Sequence, residues 1–336
     1  NANLGLSVST SFLVSDYYQQ ETISKISEDP YRLLAFGVDF NECDRISLAL
    51  GFQLDAPIRF AAAAEEALYC HLSNGSTLAT RYDLDIWLKQ LLHIPMNPEK
   101  TECYVNQAFA LATSCENILE VGDNELQSAG AFTMEAYVAQ RLVNLITNPS
   151  KLSIDEKRIN FYINQYESKK CFNLNSLQKE AIFGAIKHRF LIINGGAGVG
   201  KTTLLDALYS VLHKLDIIPV QVALAGKAAK RMAEATNQEA YTIARFIRNF
   251  NAKDYEGRQL VIVVDESSMV DLPSMYRLLR CVPNSAHVIM LGDIGQLPPV
   301  DFGLVFHELV PMHDIPKITL TEVRRQDRLS NIPAIS

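Results

Sequence analysis

The sequence predicts an α/β fold, a parallel sheet covered by helices in its second half, preceded by a mainly helical first half. Three observations carry that expectation. From about residue 172, short buried-type runs, "FLIIN", "PVQVAL", "LVIVVDE" and "AHVIMLGD", alternate with helical stretches. The first 150 residues lack β-branched runs and follow the helical period. Between the two patterns of one segment, "LIINGGAGVGKTTLLDALYSVLHKL", lies a glycine-rich turn that takes an apolar run into an amphipathic one.

Taken in order, "ETISKISEDPYRLLAFGVDFNECDRISLALGF" predicts a helix before Pro30, a short hairpin at 37–40 and a helix ending near Gly51. "IRFAAAAEEALYCHLSNG" and "RYDLDIWLKQLLHI" continue in the helical period. "NILEVGDNELQSAG" predicts a small β-hairpin turning at Gly122-Asp123. "TMEAYVAQRLVNLI" is helical again and "NPSKLS" reads as a linker near residue 150. The expected division is 1–54, a helix-hairpin-helix-like region; 55–150, a mainly helical accessory domain with a small hairpin; and 151–336, the α/β domain.

Composition narrows the class. A chain of 336 residues is long for one core, and 48% apolar with 21% charged residues is the make-up of a soluble globular protein. No apolar run approaches the ~18 residues a membrane span needs. Six cysteines without a C-x-x-C pair read as reduced thiols of a cytoplasmic protein. The chain starts at Asn1 without a methionine or signal peptide and is treated as a possible fragment. The net charge of −7 divides unevenly: residues 1–150 hold 8 Lys and Arg against 19 Asp and Glu, a net of −11, which leaves +4 for the remainder. A polyanion is therefore expected on the second half.

Gly195-Gly196-Ala197-Gly198-Val199-Gly200-Lys201-Thr202 fits G-x-x-x-x-G-K-[ST] between a strand-like and a helix-like run. Such a loop wraps backbone N–H groups around phosphates at a helix N-terminus. Lys201 is expected to reach the β/γ-phosphates, Thr202 to ligate Mg²⁺, and Thr203 to complete the cradle. "LVIVVDESSM" delivers Asp265, a second Mg²⁺ ligand, and Glu266, a general base for the attacking water. "HVIMLGDIGQLPPV" ends a third strand at Gly292-Asp293 with Gln296 just beyond, where it can contact the γ-phosphate or the attacking water. Pro298 and Pro299 would stiffen that loop. Trp87 reads as a core anchor, and His71, His93 and His213 have no partner spacing.

Together, "GGAGVGKTT", "VVDESSM" and "LGDIGQLPPV" resemble superfamily 1 DNA helicases, most closely the RecD-like branch. The likeness is strong over 172–328 and implies a RecA-like motor domain using ATP and Mg²⁺. "LNSLQKEAI" is similar to the family's adenine-reading segment, which implicates Gln178, and "LTEVRRQ" to its fourth motif, which implicates Arg325 as the arginine on the transferring phosphate. "ALAGKAAKRM" and "AYTIARF" are similar to segments that touch single-stranded DNA, so Lys227, Thr242 and Pro298, Pro299 and Val300 become DNA-contact candidates. The family usually has an aromatic residue where this chain has Arg324, whose guanidinium can also stack on a base. Where "TIHR" is usual, Ala244 removes an imidazole.

In the first half, "DPYRLLAFGVDFNECDRISLALGF" resembles the helix-hairpin-helix repeats that precede the motor in stand-alone RecD-like helicases. Gly37 suits phosphate binding by backbone N–H groups, whereas Asp39 and the local charge suit a structural or protein-contact role. The resemblance implies 5′ to 3′ movement on single-stranded DNA in recombination or repair, with nuclease or helicase subunits as further partners. Taken as complete, the chain is expected to lack the family's second motor domain and to bind nucleotide with little or no unwinding. Two other readings stand beside the motor. A small-molecule kinase would need an acceptor pocket and an arginine-rich lid, and a non-catalytic DNA-binding or assembly subunit would hold the nucleotide as a structural ligand.

Overall fold

The change of period near residue 172 becomes, in the computed structural model, a six-stranded parallel sheet. The structure describes residues 6–322 apart from Asn74, Pro149, Lys151 and Ser153. Its chain divides into two units, Asn1–Thr133 and Met134–Ser336.

The first unit is built from α1 (Val8–Tyr18), α2 (Thr22–Glu28), α3 (Phe40–Ala49), α4 (Pro57–Leu72), α5 (Arg81–Leu91) and α6 (Pro98–Ser114). A small antiparallel sheet of β1 (Leu78–Ala79), β2 (Ile118–Gly122) and β3 (Glu125–Ser128) completes it in the order β1-β3-β2. Helix starts follow their capping residues: Asp39 caps α3, Asn97 caps α6, and Thr80 with Asp83 forms a reciprocal capping box on α5. Ala62, Ala63, Ala64 and Ala67 are buried on α4, and their small side chains let α5 and α6 approach its backbone. Trp87 packs against this core, as its helical context predicts.

The expected hairpin at 37–40 is a turn in which Gly37 adopts a left-handed conformation, φ 76°. The Gly37 and Val38 amides donate to the Leu34 and Leu33 carbonyls, at 2.9 and 3.3 Å, and the Asp39 carboxylate accepts from the Asn41 amide at 2.8 Å. Two of the turn's amides are thus already spent inside the fold.

Behind this turn lies a buried ion pair. Arg59, with a side chain 4% exposed, grips Asp44 through Nη2 at 2.8 Å and Nε at 2.9 Å, while the Tyr31 hydroxyl donates to the same carboxylate. Removing one partner strands the other charge, so Asp44→Ala is expected to destabilise the first unit by about 3–5 kcal/mol. Urea unfolding followed by far-UV circular dichroism checks this, and a loss under about 1 kcal/mol would contradict a buried, partner-dependent arginine.

α7 (Ala129–Thr147) begins in the first unit and continues into the second. There α8 (Glu156–Lys170) and α9 (Ser176–Lys187) lead to β4 (Phe190–Gly195), α10 (Lys201–Lys214), β5 (Ile217–Ala223), α11 (Gly226–Thr236), β6 (Ala240–Thr242) and α12 (Ile243–Asn249). β7 (Gln259–Asp265), α13 (Leu272–Cys281), β8 (His287–Gly292), α14 (Val305–Leu309) and β9 (Lys317–Leu320) follow. The strand order is β6-β5-β7-β8-β4-β9, every pairing parallel. Val261–Val264 and Ile289–Leu291 are completely buried because helices cover both faces, which is why these strands read as unbroken apolar runs. The sequence pattern misses β6 and β9, short strands at the sheet's two edges whose "AYT" and "KITL" are too brief to show a period.

At the opposite end of the sheet from the carboxyl termini of the strands, His287 is fully buried. Its Nδ1–H donates to the Ala185 carbonyl at 3.2 Å and its Nε2 accepts from the Ser150 hydroxyl at 3.0 Å. Burial, which the Ala185 bond only partly opposes, pulls the imidazole down to about 4. The unfolded chain, titrating near 6.5, therefore binds more protons than the folded one between those values. Stability from this site is complete above about pH 6.5 and lost as pH falls towards 4, by roughly 3 kcal/mol. Thermal unfolding of wild type and His287→Asn from pH 4 to 7 checks it: the gap should shrink on the acid side, and a constant gap would remove the linkage.

Candidate nucleotide site

Because all six strands are parallel, their carboxyl ends lie along one edge of the sheet, where an α/β fold gathers its ligands. β4 ends at Gly195, β7 at Asp265 and β8 at Gly292. β8 lies between β4 and β7, so the glycine loop and the acidic pair flank one strand.

The loop's conformation follows from its glycines. Gly198 and Gly200 have φ of 78° and 83°, where a side chain would be strained, and Gly200 is the N-cap of α10. As an N-cap without a side chain it leaves the first-turn amides of α10 unsatisfied, unlike Asn175 on α9 or Thr242 on α12. Val199 is buried in the core and anchors the loop, while Ala197 and Gly198 are exposed. Lys201 folds back over the loop, its ammonium donating to the Gly195 carbonyl at 2.7 Å. That cation sits where phosphate oxygens can replace the carbonyl. Thr202 is exposed and Thr203 half-buried on the first turn of α10.

Asp265 and Glu266 meet Thr202 at a cavity of about 350 Å³. Burial raises the Asp265 carboxyl above the ordinary carboxylate range, with Glu266 adding repulsion, while the Glu266 amide, at 2.8 Å from Oδ1, and Lys201 oppose the rise. A dication would offset the same desolvation. One hydroxyl and one carboxylate, with phosphate oxygens and water, are the hard oxygen ligands Mg²⁺ takes, so these residues fit that ion. Glu266 is itself held in the left-handed region, φ 51° and ψ 38°, a conformation that costs a glutamate roughly 1–3 kcal/mol.

Gln178 is completely buried: its Oε1 accepts from the Asn175 amide at 3.1 Å and its Nε2 donates to the Gly200 carbonyl at 3.2 Å. Both ends of its amide are engaged, and it braces the loop. Gln296 is exposed, its backbone amide donating to the Asp293 carbonyl at 3.0 Å. Val300 is 91% exposed, Pro298 exposed and Pro299 half-buried on the same loop. Lys227 is exposed on the first turn of α11, and the Thr242 hydroxyl caps α12 by accepting from the Arg245 amide at 3.1 Å. Arg324 and Arg325 lie outside the described residues.

Three further residues belong here. Asn194 Oδ1 accepts from the Ile294 amide at 3.1 Å and ties the end of β4 to the loop after β8. Asp293 carries its carboxylate beside Gly196, where a Cβ would lie 3.9 Å from Oδ2. Arg231 lines the cavity of Asp265 and Glu266. Polar residues at strand carboxyl ends were the available signal for the first two.

A parallel sheet with this loop on β4 and paired acids on β7 defines a P-loop nucleotide-binding domain of RecA-like type. Residues 2–78 match the family model of the ATP-dependent RecD2 DNA helicase HHH domain, and residues 173–336 match an AAA domain. In this pairing of domains the chain is similar to RecD-like helicases. It is 26% identical over 340 residues to the ATP-dependent RecD2 DNA helicase of Deinococcus radiodurans, covering 96% of this chain and 46% of that protein. It is 34% identical over 165 residues to the RecBCD enzyme subunit RecD of Haemophilus influenzae, covering 39% of this chain and 26% of that one. Among solved structures it resembles the Pif1 helicase of Candida albicans at 25% identity and a TM-score of 0.34, over 46% of this chain and 41% of that one. The chain thus spans less than half the length of these curated relatives.

Proposed function

We propose that this chain binds ATP with Mg²⁺ and supplies the nucleotide-hydrolysing half of a DNA helicase or translocase. The observation that carries the reading is the meeting of Thr202, Asp265 and Glu266 at one cavity beside the Lys201 loop. In this proposal Lys201 and the loop from Gly195 to Thr203 hold the phosphates, and Thr202 and Asp265 hold Mg²⁺. Glu266 accepts the proton of the attacking water, Gln296 reports the γ-phosphate, and Arg325 stabilises charge on it. Gln178 serves the nucleotide through the loop it braces, and Arg324 stacks on the base.

Single-stranded DNA is the proposed track, with 5′ to 3′ polarity and a role in recombination or repair. Lys227 follows β5, Thr242 ends β6, and Pro298 to Val300 follow β8, so the DNA candidates share the sheet edge that carries the nucleotide site. For the helix-hairpin-helix region we propose a structural or protein-contact role, supported by the spent amides around Gly37 and the Asp39 cap. The proposed domains are 1–54, 55–150 and 151–336, and partner nuclease or helicase subunits are the proposed protein contacts.

The test is ATP hydrolysis by this chain, and by the chain extended with whatever its gene encodes after Ser336, each with and without an oligo-dT strand. DNA-stimulated hydrolysis supports the motor. Hydrolysis that DNA stimulates in neither form overturns it.

A further inference from the structure

The cavity that holds Asp265 and Glu266 has a third wall. α11 contributes Arg231, Met232 and Thr236 to it. Met232 and Thr236 are 4% exposed, and the Thr236 hydroxyl lies 3.1 Å from the Gln221 amide oxygen on β5, so α11 is locked to the sheet. Arg231 is different. It is exposed, and among the described residues it has no ion pair, whereas its neighbour Lys230 reaches Glu234 at 3.9 Å. Glu266 likewise has no ion pair among the described residues, and its left-handed backbone sets the direction of its side chain. A free guanidinium and a free carboxylate thus face the same cavity beside the Mg²⁺ ligands.

Arg231 also lies four residues after Lys227. At about 1.5 Å per residue the two are roughly 6 Å apart along the axis and on one face of the helix. A phosphate held by Lys227 and a carboxylate held by Arg231 would then be connected by a single helical turn.

We propose that Arg231 is a positioning residue that links DNA occupancy of α11 to the orientation of Glu266. The role rests on the ATP-and-DNA reading above. The planar guanidinium can hold a carboxylate in a fixed direction, which a lysine ammonium does less well. Occupying Lys227 stiffens the exposed face of the sheet-locked α11, the Arg231 side chain one turn on is ordered with it, and Glu266 is turned towards the nucleotide. Coupling of this kind is reciprocal, so nucleotide at the cavity must change DNA affinity by the same factor.

The test measures that factor without turnover. Affinity for a fluorescent oligo-dT is determined with and without Mg²⁺ and a non-hydrolysable ATP analogue, for wild type, Arg231→Gln and Arg231→Lys, and each variant is titrated with the analogue alone. The nucleotide is expected to change wild-type DNA affinity by at least about fivefold. Arg231→Gln should reduce the change to under about twofold while still binding the analogue, and Arg231→Lys should fall between. Equal coupling in wild type and Arg231→Gln, or no coupling in a wild type that binds both ligands, overturns the role of Arg231 and leaves the nucleotide site standing. A wild type that binds neither ligand overturns the underlying reading instead. Loss of analogue binding in Arg231→Gln alone would make Arg231 a ligand contact and also refute the positioning role.

Discussion

Lys201→Ala is expected to lower ATP hydrolysis by at least about a hundredfold and to weaken ATP binding by about ten- to a hundredfold. The ammonium is the one cation the loop itself supplies to the phosphates, and a hydrogen bond from a charged donor is worth roughly 1.5–3 kcal/mol. In this structure it bonds to the Gly195 carbonyl, so the nucleotide-free protein loses one half-exposed contact and keeps its fold. The thermal midpoint should move by less than about 4 °C. Steady-state hydrolysis and titration with a fluorescent ATP analogue measure the two effects. Wild-type hydrolysis in this variant would remove the phosphate role of Lys201 and, with it, the assignment of the loop.

Glu266→Gln is expected to separate binding from turnover. The amide keeps the size of the carboxylate and its place at the cavity, but it cannot take the proton of an attacking water. General-base catalysis contributes about a hundred- to ten-thousandfold, and that is the loss expected in kcat. Affinity for ATP should stay within about threefold of wild type, because Lys201 and Asp265 remain. The uncharged amide also removes repulsion from the buried Asp265 carboxyl. Single-turnover hydrolysis beside an equilibrium titration gives both numbers, and unimpaired turnover would exclude Glu266 as the base. The left-handed backbone at this position makes any β-branched replacement a poorer probe than glutamine, since strain would be added to the chemical change.

Much of this site is written in short stretches of sequence. The strand, the glycine loop, Lys201 and the helix after it are contiguous, and the acids follow their strand directly. Each is a local pattern with its own geometric cause: glycine for positive φ, an apolar run for a strand buried on both faces, a change of period for a helix. The four long strands of the parallel sheet are legible for the same reason. The two edge strands are not, because three or four residues cannot establish a period and their pairing comes entirely from a neighbour.

Gln178 shows the limit most clearly. Its place in the chain and its likeness to an adenine-reading segment say nothing of which way the amide turns. Packing turns it inward, between the Asn175 amide and the Gly200 carbonyl 22 residues away. The helix-hairpin-helix turn is similar, since "FGVDF" is visible in the sequence while the internal use of the Gly37 and Val38 amides is visible only in the fold.

By itself, then, the sequence determined a phosphate loop, its cation and its acidic pair, because each depends on residues within a few positions of one another. The tertiary structure alone decided that β8 lies between the strands bearing the loop and the acids, that Gln178 braces the loop, and that Arg231 and Glu266 line one cavity. Those relations join segments far apart in the chain. They are set by strand order and by how helices pack on the sheet, and no local period encodes either.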